Sequence, residues 1–182
     1  NHPSIAECLN GLAGAYVGES NYKVAIPIYE EALSILKMNF GNKYPLIAEC
    51  SYNLGDCYFE KSEYDLAMQC YQKAIIAVVF SFDEQASFLN PDLKGYIDGY
   101  RFLNALYRKT KVFLSLYKQL PSNLKYLQAA LSTIVIAVEL VSDIRRSYKA
   151  KDSKHTLAKK AAKVYNMAID IALETSKTYR QL

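Results

Sequence analysis

The chain has 182 residues, of which 51% are apolar and 22% are charged, with seven Gly and five Pro spread along it. This composition is typical of a globular chain and excludes the collagen-like, linker-like and disordered classes. The net charge of +4 divides unevenly, since residues 1–90 carry a net −6 and residues 91–182 a net +10. An uneven charge distribution of this kind affects which partners the chain binds and what it packs against, and it does not indicate the fold class.

The sequence predicts neither a membrane span nor a secretion signal. No stretch reaches the roughly 18 uncharged apolar residues that a membrane helix needs, and the best one covers only 131–140. Residues 1–3 lack the basic and apolar regions of a signal peptide. The four cysteines form no CxxC pair, so we interpret them as buried thiols in a reducing compartment rather than as disulfides or a zinc site. We expect a cytoplasmic protein that binds no metal and no cofactor.

An internal repeat organises residues 1–82. HPSIAEC at 2–8 aligns with YPLIAEC at 44–50, and 12 of the 34 positions from 3 to 36 are identical to the residue 42 positions further on. Within the second unit, Leu54 and Tyr58 share one helical face and Ala67, Tyr71 and Ala74 share another. This spacing predicts a helix–turn–helix hairpin in each unit. Ala67 and Ala74 are expected to be buried between its helices, and Gln72 is expected to be exposed.

The second half departs from the 42-residue register. Apolar positions predict a long helix that starts at Pro91, a turn at 121–123 and then a helix with two apolar stripes. A helix that is apolar on two sides is sandwiched between others, as in the interior of a solenoid. The seven predicted helices cover 4–18, 22–38, 45–60, 64–80, 91–119, 123–149 and 153–180.

The repeated residues resemble the tetratricopeptide repeat, in which a Leu-Gly pair, a Tyr, an Ala, an aromatic residue and a second Ala recur at fixed offsets. The 42-residue period and the Pro-x-Ile-Ala-Glu start resemble the kinesin-light-chain variety, and LNGLA at 9–13 is close to its Leu-Asn-Asn-Leu-Ala motif. The resemblance implies an all-α fold, a right-handed superhelix of about seven antiparallel helices in one domain. It comprises repeat 1 at about 3–40, repeat 2 at about 45–82, a divergent helical hairpin at 91–149 and a final helix at 153–180.

Three short segments of the second half carry another resemblance. IRRSY at 144–148, DSK at 152–154 and residues 164–169 resemble the repeat region that precedes the caspase-like peptidase domain of bacterial tetratricopeptide–CHAT proteins. The chain is therefore interpreted as part of a larger protein, with an adjoining peptidase domain as one partner. The resemblance implies a regulatory or scaffold segment. The alternative is an RNA- or ribonucleoprotein-sensing arm of a proteolytic effector.

No residue pattern predicts catalysis. His2 and His155 have no Cys or carboxylate at ligand or triad spacing, and no Gly-rich phosphate loop is present. We expect a non-enzymatic module that binds a protein or peptide.

Two surfaces are candidate binding sites, and the first is the concave groove that the family resemblance implies. Carried over by register, its positions are Glu7, Asn10, Glu49, Tyr52, Asn53, Asp56 and Phe59. Asn10 and Asn53 are expected to hold a peptide backbone, because an amide both donates and accepts hydrogen bonds. Three carboxylates on this face would favour an internal or basic segment. The alternative is that these residues are simply exposed.

The second candidate is a basic surface in the second half. It comprises Arg145, Arg146, Lys149, Lys159, Lys160 and Lys163. A solvated face, a protein-docking face and a nucleic-acid surface all remain open. Because nucleic-acid grooves interleave aromatics with charge and only Tyr148 does so here, we do not expect nucleic acid as the partner.

Overall fold

The structure is a computed structural model that describes residues 2–147 and 151–180. Seven α-helices follow one another in these residues: α1 Pro3–Gly18, α2 Tyr22–Phe40, α3 Pro45–Glu60, α4 Tyr64–Val78, α5 Gly99–Gln119, α6 Leu124–Ser147 and α7 Lys151–Arg180. Between them the described residues contain one isolated β-bridge, Val79 to Tyr96, and no strand. The predicted all-α fold is confirmed.

Each repeat unit folds as a hairpin of two tightly packed helices. Both first helices start at a proline, whose missing N–H is tolerated in a helix's first turn. Both turns pass through a serine with positive φ, 58° at Ser20 and 62° at Ser62. Ala67 and Ala74 are fully buried as predicted. Gly55 allows the closest approach, because a Cβ there would lie 2.5 Å from the Tyr71 ring.

The predicted exposure of Gln72 is wrong, because the segment 79–98 folds back over this part of α4. Gln72 is 1% exposed, and its Nε2 donates to the carbonyls of Glu84, Ala86 and Leu89. The fully buried Lys109 of α5 completes the cluster, since its Nζ donates to Gln72 Oε1 at 2.8 Å, Leu89 O at 2.7 Å and Asn90 Oδ1 at 2.8 Å. Hydrogen bonds from polar side chains, rather than apolar contacts, therefore join α4, α5 and this segment at Gln72 and Lys109.

The helix predicted from Pro91 begins instead at Gly99. Asp98 ends the irregular segment by accepting a hydrogen bond from the Arg101 backbone N–H at 2.9 Å, which is a helix N-cap. Gly95, with φ 70°, keeps the chain non-helical before it. Gly99 is required by packing, because a Cβ there would lie 2.8 Å from Ile144 Cγ1 on α6.

The helix α6 is long and apolar enough to cross a membrane by length and composition, although the sequence analysis counted only 131–140 as apolar. The longer window includes small polar residues such as Ser132 and Thr133 beside few charges. In the fold α6 packs against both α5 and α7, and half of that window is buried. This packing between two helices accounts for the two predicted apolar stripes of α6, as expected for an interior helix of a stack.

The repeat register can be tested by overpacking. We expect Ala67→Leu to lower the free energy of unfolding by about 1–3 kcal/mol, because its added atoms meet the facing helix. Gln69→Leu, on the exposed side of the same helix, should change it by less than about 0.5 kcal/mol. Urea unfolding followed by circular dichroism measures both. Equal losses would contradict the register.

The buried amine can be tested by substitution and pH. Lys109→Met removes the donor to Gln72 Oε1 and Asn90 Oδ1 and one of the two donors to Leu89 O, and should cost about 1–3 kcal/mol. Lys125→Met on exposed α6 surface should be nearly neutral.

Burial also lowers the pKa of Lys109 to about 7, below the value of about 10.4 in an unfolded chain. Unfolding then takes up a proton between these pH values, so Lys109 contributes stability that rises with pH above 7 and is lost as the pH falls through 7. The deficit of Lys109→Met relative to the wild type should therefore be wider at pH 9 than at pH 7. A deficit that narrows over this range would contradict the assignment.

Candidate functional site

The odd-numbered helices lie side by side and form one face of the molecule. Asn53 of α3 donates to Asn10 of α1 at 3.2 Å, and α3 packs against α5. Two contacts join α5 to α7, Lys160 Nζ to Asn104 Oδ1 at 2.8 Å and the hydroxyls of Tyr117 and Thr178 at 3.0 Å. Because both contacts advance in the same direction along the two helices, α5 and α7 run parallel. This face corresponds to the predicted groove.

Two ion pairs at equal spacing join α3 to α5. Arg101 donates from Nε to Glu49 Oε2 at 3.1 Å, and Arg108 shares its Nε–H between the two carboxylate oxygens of Asp56 at 2.8 and 2.9 Å. The two residues of each pair are 52 positions apart in the sequence, because Glu49 and Asp56 are seven positions apart and so are Arg101 and Arg108. Asp56 also accepts a hydrogen bond from the Tyr71 hydroxyl at 2.8 Å. We call these two pairs the α3–α5 ladder.

The ladder changes the expected electrostatics of the groove. Two of the three predicted carboxylates, Glu49 and Asp56, are neutralised by arginines within the fold. The third, Glu7, is exposed on α1 and has no ion-pair partner among the described residues. The premise that three uncompensated carboxylates make this face acidic is therefore wrong, and the preference for a basic ligand loses that support.

The two predicted asparagines lie together, half-buried, beside the ladder. Asn10 Nδ2 donates to Glu49 Oε1 at 3.5 Å, and Asn53 Nδ2 donates to Asn10 Oδ1 at 3.2 Å. Each amide has further hydrogen-bonding capacity, because an amide offers two N–H groups and two lone pairs. The structure thus brings Asn10, Asn53 and Glu49 together.

The two predicted aromatic residues lie under cations from α5. The Arg108 guanidinium carbon is 4.3 Å from the ring centroid of Tyr52, and the Lys111 ammonium is 4.6 Å from that of Phe59. Cation–π contacts of this kind contribute about 0.5–1 kcal/mol each at exposed sites. Burial raises the pKa of Tyr52, so its hydroxyl stays protonated.

Beside these residues an open pocket of about 460 Å³ separates the repeat helices from α5 and α7. Its apolar lining comes from five helices, one residue from each, and comprises Val17, Tyr22, Phe59, Leu103 and Val164. Tyr107 and Asn104 of α5 add polar atoms. Mixed linings of this kind suit an extended polypeptide, which has both apolar side chains and a polar backbone.

Cations outnumber carboxylates around this pocket. Arg108, Lys111, Lys160 and Lys163 line it, against Asp56 and Glu60. Among residues 2–147 and 151–180, the three lysines have no carboxylate within ion-pair distance. Burial lowers the pKa of Lys160, and the neighbouring charges of Arg108 and Lys163 lower it further. The pocket therefore holds positive charge that the described fold does not compensate.

The structure divides the predicted basic surface. Lys160 and Lys163 belong to the pocket, whereas Lys159 is exposed on α7 outside its lining. At the end of α6, Arg145 is exposed and Arg146 pairs with Asp143 at 3.3 Å. Lys149 lies outside the described residues.

The residues that α5 contributes to this site were not predicted from the sequence. Arg101, Asn104, Arg108 and Lys111 recur at intervals of three and four, which places them on one polar stripe of α5. The shared spacing of seven in Glu49–Asp56 and Arg101–Arg108 is a signal that could have paired the two helices.

Comparison with known families identifies the first part of the chain. A tetratricopeptide repeat family model matches residues 4–75, which extend from α1 into α4. This match supports the predicted tetratricopeptide repeat in residues 4–75. Repeats of this family are non-catalytic modules that generally mediate protein–protein interaction. No curated protein matches the chain.

The ladder can be tested with a double-mutant cycle on Asp56→Asn and Arg108→Gln. We expect a coupling free energy of about 1 kcal/mol, because the pair is partly shielded from water. The control is Asp143→Asn with Arg146→Gln, a pair within one helix whose arginine is exposed, and it should give about 0.3 kcal/mol. Thermal or urea unfolding supplies the four free energies of each cycle. Coupling no larger than in the control would show that the ladder does not hold α5 against α3.

Proposed function

We propose that this chain is a protein-interaction module whose pocket binds an acidic segment of a partner. The uncompensated positive charge at Lys111, Lys160 and Lys163 is the observation that carries the proposal. A bound carboxylate would relieve the repulsion among these cations, and the low-dielectric pocket wall strengthens that attraction relative to bulk water.

The apolar lining adds a second requirement on the ligand. Val17, Phe59 and Val164 present apolar surface next to the lysines, so the favoured segment carries an apolar side chain near its acidic residues. Burying a side chain of that kind contributes about 25 cal/mol per Å², whereas exposed ion pairs contribute little affinity and mainly speed association. Asn104 and the pair Asn10–Asn53 lie where they could bind the backbone of such a segment.

Carboxylates in the lining favour a peptide over nucleic acid. Asp56 and Glu60 line the pocket, and Asp170 follows along the crevice between α5 and α7. Closely spaced phosphates would meet these acids, whereas a peptide can place its few carboxylates only at the lysines. RNA bound through several phosphates would also lose affinity steeply with salt.

The wider role proposed for the module follows from the resemblances in its sequence. The 42-residue units support a kinesin-light-chain-like repeat, and segments between 144 and 169 support a place beside the caspase-like domain of a bacterial CHAT-type protein. In this proposal the module regulates or scaffolds an adjoining peptidase in the cytoplasm. The alternative, an arm that senses RNA or ribonucleoprotein, predicts RNA binding in the experiment below.

The proposal predicts selective binding of acidic peptides. Fluorescence anisotropy would compare labelled dodecapeptides that share one leucine and differ in carrying glutamates, lysines or serines, alongside a uridine dodecanucleotide. We expect the glutamate peptide to bind most tightly. Lys160→Gln with Lys163→Gln should weaken it about tenfold, since one half-buried and one exposed ion pair contribute roughly 1.4 kcal/mol together.

Lys159→Gln with Lys177→Gln is the matched control, because it removes the same charge from exposed positions on α7 outside the pocket. Equal weakening by both double variants would mean that net charge, and not the pocket, drives binding. Preference for the lysine peptide would overturn the acidic ligand while leaving a peptide-binding module. Tightest binding of the RNA would favour the alternative.

A further inference from the structure

A second pocket continues the first one along the crevice between α5 and α7. The first pocket is the one of about 460 Å³ beside the repeat helices, and the second has a volume of about 420 Å³. The described residues that line the second pocket all belong to α5 and α7. Most of them lie between the two hydrogen bonds that bridge these helices, from Lys160 to Asn104 and between Tyr117 and Thr178. The candidate site is therefore longer than the first pocket alone.

The two pockets meet at a junction that carries positive charge. Three residues line both of them: Tyr107, Lys111 and Lys163. We call these three residues the cationic neck, because two are lysines and none is a carboxylate. The carboxylates lie away from it, since Asp56 and Glu60 line the first pocket only and Asp170 lines the second pocket only. Acidic groups of a ligand are therefore favoured at the neck and disfavoured beyond it on either side.

Apolar side chains flank the cationic neck in both pockets. In the first pocket the Phe59 ring centroid lies 4.6 Å from the Lys111 ammonium. In the second pocket Leu114 and Met167 each follow a lysine of the neck by about one helical turn. These three apolar side chains are half-buried, so each has exposed surface that a ligand could cover. The crevice thus presents apolar, cationic and apolar surface in that order.

Helix geometry gives the distance between the two apolar sides. On α5, Leu103 and Leu114 are separated by about 16 Å along the helix axis, and on α7, Val164 and Met167 are separated by about 4.5 Å. The midpoints of the two sides are therefore about 10 Å apart. Three residues of an extended or polyproline-II segment cover about 9–10 Å. Two apolar side chains three positions apart would reach both sides, with two residues between them at the neck.

We infer that the crevice selects a segment in which two apolar residues flank two acidic residues, as in the order Leu-Glu-Glu-Leu. The inference rests on the proposed function and adds to it the order of residues in the ligand. The acidic pair binds at Lys111 and Lys163. One apolar side chain packs at Phe59, and the other packs against Met167.

The test compares the order of residues at constant composition. Three labelled dodecapeptides with blocked ends carry Leu-Glu-Glu-Leu, Leu-Leu-Glu-Glu or Glu-Glu-Leu-Leu in the middle of a serine sequence. Fluorescence anisotropy with the full chain gives their dissociation constants. We expect the first, flanked peptide to bind about tenfold more tightly than the two clustered peptides, because only the flanked order covers apolar surface on both sides of the neck.

A substitution in the second pocket locates the selectivity. Met167→Gln should weaken the flanked peptide about tenfold and the clustered peptides less than about twofold, because the clustered leucines can still use the first pocket. Ile169→Gln is the matched control, since it is 57% exposed on the same helix and lines neither pocket. It should keep the full preference for the flanked peptide. Circular dichroism melting curves check that both variants are folded.

Equal affinities of the three peptides would overturn the inference, and so would a preference for a clustered peptide. Retention of the tenfold preference by Met167→Gln would also contradict it. In each of these cases the proposed function still stands if the acidic peptides bind more tightly than a peptide of serine and leucine alone. Acidic peptides that bind no more tightly than that peptide would overturn both the inference and the proposed function.

Discussion

The α3–α5 ladder is the constraint on which the rest of the site depends. Glu49 and Asp56 belong to the repeated half of the chain, and Arg101 and Arg108 belong to the half that has lost the repeat register. Their matched spacing fixes the axial position of α5 against α3, and Lys111 is thereby placed over the Phe59 ring. The helix α7 packs against α6 and contacts α5 through the Lys160–Asn104 hydrogen bond, which places its cations beside those of α5. Part of the negative charge of the first half is therefore paired with positive charge of the second half inside the fold.

A buried polar cluster holds the break between the two halves. Lys109 and Gln72 together satisfy five acceptors, among them the carbonyls of Glu84, Ala86 and Leu89 in the irregular segment. A segment without helical hydrogen bonds must find partners for its buried backbone groups, and these two side chains supply the donors. A fully buried lysine amine without a carboxylate partner costs desolvation, which its depressed pKa reflects. This desolvation cost arises at the irregular segment 79–98, which joins α4 to α5 across the stack of helices.

The sequence was sufficient for the repeated helices and insufficient for the contacts between distant elements. The bounds of α3 were predicted correctly, because a proline start, a serine turn and the small residues of the hairpin are local signals. The start of α5 was placed too early because Pro91 resembles a helix start. The residue that caps the helix is Asp98, and its cap depends on a backbone geometry that the sequence does not show. The candidate groove residues do lie on one face, yet its charge was inferred with the wrong sign. Register assigns positions within a repeat and contains no information on Arg108 or Lys160, which come from elements without a repeat counterpart.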